Sequence, residues 1–160
     1  MGYSDKEKSQ VDLKDSLVGA LMQTVNSASY QLADELQNTS SELHAIHLSS
    51  LNLTLNDIVH FGPFLEKLKA NTEVTSLSFS HNPLLRNEGI SKILDSLPIS
   101  ITEIGLVGCG ISDEIEESLF TMLRNHKNLR MLCMEENIIS NSLKLRLNQF
   151  GRNNNVLVSI

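Results

Sequence analysis

Five histidines, two cysteines and several clustered carboxylates are the residues of this chain that chemistry could use. His44, His47, His60, His81 and His126 could serve as general bases or metal ligands. They are scattered, however. His44 and His47, the nearest pair, stand at an odd separation on an extended stretch, so their side chains leave opposite faces and cannot share a metal without distortion. Cys109 and Cys133 would need a paired base to act as nucleophiles. No HExxH, phosphate-binding Gly-rich loop or GxSxG sequence is present. The acidic run "SDEIEES", Ser112 to Ser118, lacks the alternating oxygen ligands and central glycine of a calcium loop. Dipole compensation at a helix start is its expected role. The residues therefore predict no enzyme, no cofactor and no metal site.

The elements that carry these residues follow from one pattern. "NLRMLCMEENIIS", Asn128 to Ser140, reads LxxLxMxxNxI from Leu129. Earlier copies start at Leu43, Val74 and Ile101, so the four starts are nearly evenly spaced along the chain. A degraded fifth start is expected at Val156 or Leu157. A period of roughly 30 residues predicts a leucine-rich-repeat solenoid. Positions one, four and six of each copy should point inward. Position nine is Leu51, Asn82, Cys109 and Asn137. An Asn amide there can bond backbone groups of neighbouring turns, and Leu51 breaks the rule.

Each copy leads into an amphipathic helix. The first is "DIVHFGPFLEKLKANT", with Ile58, Phe61, Leu65 and Leu68 on one side. The second is "EGISKILDSL", stopped by Pro98. The third follows Ser112 as N-cap. The fourth, "NSLKLRLNQFGRNNN", should stop at Gly151. Strand followed by helix, repeated, predicts an α/β right-handed solenoid with parallel strands on a concave face and helices on a convex one. Residues 1–10 are expected to be a flexible N-terminus and 11–160 a single leucine-rich-repeat domain. Within it, 11–40 form a helical N-terminal cap and 140–160 a C-terminal cap.

A net charge of −6 gives no general attraction to nucleic acid or anionic lipid. No apolar stretch is long enough to predict membrane insertion. The two cysteines make no disulfide framework, which fits a reducing compartment. "MGYSDKEKSQ" lacks the apolar core of a signal peptide. The expected location is cytoplasmic, either the cell's own or that of a host, and the expected state is a monomer.

With a helix and a strand in each repeat, the chain resembles leucine-rich-repeat proteins of the ribonuclease-inhibitor type. Its architecture is most similar to the C-terminal domain of the tropomodulin and leiomodin family. The resemblance runs from about Asp15 to Leu157. It is carried by the first repeat "ELHAIHLSSLNLTLNDIVHFGPFLEKLKANTEV", the corner "MLRNHKNL" and the closing helix "LKLRLNQFGRNNNVL". It implies a non-catalytic protein-binding module that regulates actin filaments at the pointed end. The alternative is an adaptor or secreted bacterial effector that binds an unrelated host protein. Expected partner-binding residues on the strand face and its exits are His47, Ser49, Ser78, Ser80, His81, Glu103, Met131, Cys133 and Glu135. The closing helix adds Arg146 and Arg152.

Overall fold

A computed structural model describes residues 2–160. Two helices come first, α1 (Asp5–Gln23) and α2 (Ser27–Gln37). The chain continues through β1 (Ala45–His47), α3 (Leu55–His60), α4 (Gly62–Ala70), β2 (Ser76–Ser78), α5 (Arg86–Leu94) and β3 (Glu103–Gly105). A single 3-10 turn at Asp113–Ile115 leads into α6 (Glu116–Asn125), followed by β4 (Met131–Cys133), α7 (Asn141–Asn154) and β5 (Leu157–Ser159). The protein is α/β. All five strands are parallel, and their order in the sheet is their order in the chain.

The repeat explains this topology. Residues at position one (Leu43, Val74, Ile101, Leu129) are buried, as are those at position four (Ile46, Leu77, Ile104, Leu132) and position six (Leu48, Phe79, Leu106, Met134). Alternate residues of each strand leave the other face. One face of the sheet is therefore core, and the opposite face carries no helix-facing apolar row. Across the first four strands the register reproduces the repeat, with Ile46, Leu77, Ile104 and Leu132 side by side.

Position nine closes each strand. Asn82 is fully buried and bonds backbone groups on two turns. Its Oδ1 accepts from the N–H groups of Leu51 (3.2 Å) and Leu53 (3.0 Å), and its Nδ2 donates to the carbonyls of Leu48 (2.8 Å) and Phe79 (2.7 Å). Asn137 repeats the pattern, accepting from Cys109 and Ile111 and donating to Leu106 and Met134. Without these amides the backbone groups at each exit would be buried and unpaired.

Several expected boundaries move. α1 begins at Asp5, inside the stretch expected to be flexible, of which only Met1 lies outside the described residues. Ser4 caps it, its Oγ accepting from Glu7 N–H while the Glu7 carboxylate accepts from Ser4 N–H. Gln10 is buried, and its Oε1 accepts from Leu43 N–H at 2.8 Å, which fastens the helix to the start of β1. The long first helix is two, α3 and α4, which meet at Phe61, because Pro63 supplies no N–H to continue α3. Ser112 stands before the 3-10 turn, but its side chain makes no cap bond and instead accepts from Asn87 Nδ2 at 2.7 Å. Gly151 does not stop α7. The helix runs on to Asn154, and Asn155 caps it at φ 56°. Gly151 is there because a Cβ would meet the Val156 carbonyl oxygen at 2.5 Å and the Val158 side chain at 2.9 Å. Leu157 pairs with Met131, which lies just past Leu129. By that register Asn155, rather than Val156 or Leu157, holds the place equivalent to Leu129.

Candidate functional site

The sheet face turned away from the core consists of two rows. Ala45, Ser76, Glu103, Met131 and Leu157 form one, and His47, Ser78, Gly105, Cys133 and Ser159 the other. Ala45, His47, Glu103 and Leu157 are exposed, and the rest are half-buried. The structure thus brings His47, Ser78, Glu103, Met131 and Cys133 onto one surface. Ser49 and Glu135 continue it beyond the strand ends.

The serines expected to meet a partner bond to each other. Ser49 Oγ and Ser78 Oγ lie 2.9 Å apart, and Ser78 donates to Ser80 Oγ at 3.1 Å. Ser80 is buried rather than exposed, because its Oγ also accepts from Val107 N–H at 3.1 Å. Gly105 makes room for this network, since a Cβ there would stand 2.7 Å from Ser78 Oγ.

Two acidic groups shape the other half of the face. Burial pushes the Cys133 thiol up from its ordinary range, and Glu135 and Glu103 add to the shift, so the sulfur is held protonated. Its register neighbours are Gly105 and Ser159, neither of them a base. Ser159 Oγ donates to Glu135 Oε1, while Glu135 Oε2 is buried with no hydrogen-bond partner among the described residues.

At the exits, Ser50, His81, Gly108 and Glu136 adopt φ of 57°, 60°, 58° and 60°. This left-handed turn recurs in four successive repeats and sets a column of loop residues beside the open face. His81 Nδ1 is 3.8 Å from Glu136 Oε2, and the two reach toward each other over Gly108.

Arg146 and Arg152 lie on α7, away from the strand rows. Arg146 forms a two-pronged ion pair with Glu116 of α6, which holds the guanidinium even more firmly charged than usual. Its guanidinium is thus paired within the chain while the side chain stays exposed. Arg152 is exposed. In the acidic run, Asp113 Oδ1 accepts from Ser140 N–H at 2.7 Å, and hydrogen bonds from Ser140 hold this carboxyl below its ordinary range. Asp113 thus links two turns, while Glu116 and Glu117 occupy the first turn of α6.

A further cluster, which the sequence reading did not join, lies at the opposite ends of the strands. Glu42, His44 and Glu73 gather there with Lys6. The signal was the repeat itself: Glu42 and Glu73 each stand just before position one of adjacent copies.

No helix among the described residues is long and apolar enough to cross a membrane. No protein-family model matches the chain, and no curated protein matches it.

Proposed function

We propose that this chain is a leucine-rich-repeat solenoid of the ribonuclease-inhibitor type that acts as a non-catalytic protein-binding module. The observation that supports the reading is the sheet itself. Five parallel strands in chain order bury one face and leave the other, with its column of exit loops, open to a partner. Open strands spaced about 4.8 Å apart offer a regular lattice of side chains for recognition.

The tropomodulin-like order of elements makes actin the first partner to test, with regulation at the filament's pointed end as the function. A second reading, binding to an unrelated partner as an adaptor or effector, is favoured by the charge of the face. Glu103, Glu135 and Glu136 suit a basic partner better than an acidic one. In both readings the chain works as a monomer in a cytoplasm.

Actin co-sedimentation and pointed-end elongation, each at low and high salt, separate the two. Salt-sensitive inhibition of elongation that is weakened by Arg152→Glu supports the actin reading and assigns the contact to α7. Absence of both binding and inhibition removes actin. The unrelated-partner reading then stands on whether Glu103→Arg abolishes capture of a purified partner. Arg146 is avoided as the probe because its reversal would set two carboxylates against each other at Glu116.

A further inference from the structure

The cluster at the start of β1 and β2 has the makings of a metal site. One nitrogen of His44 and one oxygen each of Glu42 and Glu73 lie within 4.8 Å of one another. The backbone beneath them is well fixed. Thr75 N–H donates to the His44 carbonyl at 2.8 Å, and the buried Asn71 side chain accepts from Glu73 N–H at 2.7 Å.

The orientation of His44 is the informative feature. Its Nδ1 is 3.1 Å from the Glu73 backbone oxygen. A carbonyl oxygen only accepts, so the proton of this contact sits on Nδ1. The opposite nitrogen, Nε2, is 3.1 Å from Glu42 Oε2. As an imidazolium the ring donates from both nitrogens, and Nε2 pairs with Glu42; as a neutral ring in this tautomer it turns the Nε2 lone pair toward the carboxylate, where a metal cation between the two would be held by both. An imidazole that donates one N–H to a backbone carbonyl and presents the other nitrogen to an ion is the usual geometry of a metal-binding histidine. The present cation is Lys6, which reaches down from α1 to 3.3 Å from Glu73 and 3.6 Å from Glu42.

We propose that Glu42, His44 Nε2 and Glu73 bind a divalent transition-metal ion of the zinc type, with Lys6 as the built-in competitor that the ion displaces. One imidazole and two carboxylates supply three ligands, and water completes a tetrahedron. The imidazole favours a borderline ion of this kind over magnesium or calcium, which take oxygen ligands. Binding would join the first two turns of the sheet side by side and release the ammonium of α1.

Calorimetric titration of the full chain with zinc chloride, and in parallel with magnesium chloride, tests this. The expected result is one zinc site, no magnesium response, zinc affinity lower by about tenfold or more in His44→Ala, and tighter zinc binding in Lys6→Met. All four residues are exposed or half-exposed, so the variants should keep the parent circular dichroism spectrum. Unchanged zinc affinity in His44→Ala would overturn the proposal and move the ion elsewhere. Zinc binding absent even from Lys6→Met would overturn it too, leaving the cluster as an ion-pair lock between α1 and the sheet. An equal response to magnesium would show bare carboxylate binding and would likewise defeat it.

Discussion

Two kinds of strand exit coexist in this sheet, and their difference shows what the repeat requires. At Asn82 and Asn137 one side-chain amide serves backbone N–H and carbonyl groups on two turns. At Cys109 a thiol in the same place makes weak sulfur contacts, reaching the carbonyls of Phe79 (3.3 Å) and Val107 (3.5 Å). At Leu51 the side chain is apolar and buried, and the Leu51 carbonyl is served instead by Nδ2 of Asn26, the N-cap of α2. An exit can thus do without its own amide when the next turn has one. Cys109 N–H and Ile111 N–H go to Asn137, as Leu51 N–H and Leu53 N–H go to Asn82. Asparagine is needed at every second turn, and small or apolar residues suffice between.

Breaking an amide should therefore cost far more than altering the exits between. Asn82→Ala orphans two buried N–H groups and removes donors from two carbonyls, so a stability loss of about 3–4 kcal/mol is expected by denaturant melting. Asn137→Ala, at a half-buried exit, should lose about 2 kcal/mol. Equal losses, or a smaller one at Asn82, would break the comparison.

Cys109→Ala should cost only about 1 kcal/mol, from a small cavity and weak sulfur bonds. The same thiol gives a pH signature. Burial pushes it from an ordinary 9.0 up to about 11, against a smaller opposing pull from the backbone at Asn82 and His81. A group raised in the folded state stabilises fully below its unfolded value. Stability should therefore fall as pH rises from about 9 toward 11, and the thiol's part of that fall should vanish in Cys109→Ala. Thiol-reactive reagents at neutral pH should modify the half-buried Cys133 first and reach Cys109 only on unfolding. At the small end, Arg146→Gln removes an exposed ion pair and should leave the melting midpoint unchanged within error.

How much of this was legible follows from where the period speaks. Positions one, four and six were visible because burial on one side of a strand forces a fixed spacing, and the amides of Asn82 and Asn137 follow from that register. Boundaries set by local chemistry were not. The start of α1 rests on the Ser4–Glu7 capping pair, which lies ahead of any apolar periodicity. The break at Phe61 rests on one missing N–H, at Pro63. Gly151 has the look of a helix stop, whereas it serves close approach to Val156. Among the expected site residues, His47, Glu103, Met131 and Cys133 share one face as the alternation requires. Ser80 and Arg146 have partners, Val107 N–H and Glu116, that sit one turn away and are invisible until the turns are stacked. The cluster of Glu42, His44 and Glu73 needed only the repeat offset, the one that sets Ala45 beside Ser76, applied to polar as well as apolar positions.

The order of the strands also bears on how quickly the sheet can assemble. Parallel sheets are usually slow to form, because distant strands must find each other before any pairing is rewarded. Here each strand pairs only with its neighbours in the chain, and the steps from Ala45 to Ser76, Glu103, Met131 and Leu157 are nearly equal in length. Loop-closure entropy grows only logarithmically with length, so these closures differ little in difficulty. Any adjacent pair of strands can act as the nucleus, and the sheet can then grow in either direction, with the Asn82 amide locking the β1–β2 junction and the Asn137 amide the β3–β4 junction as each forms.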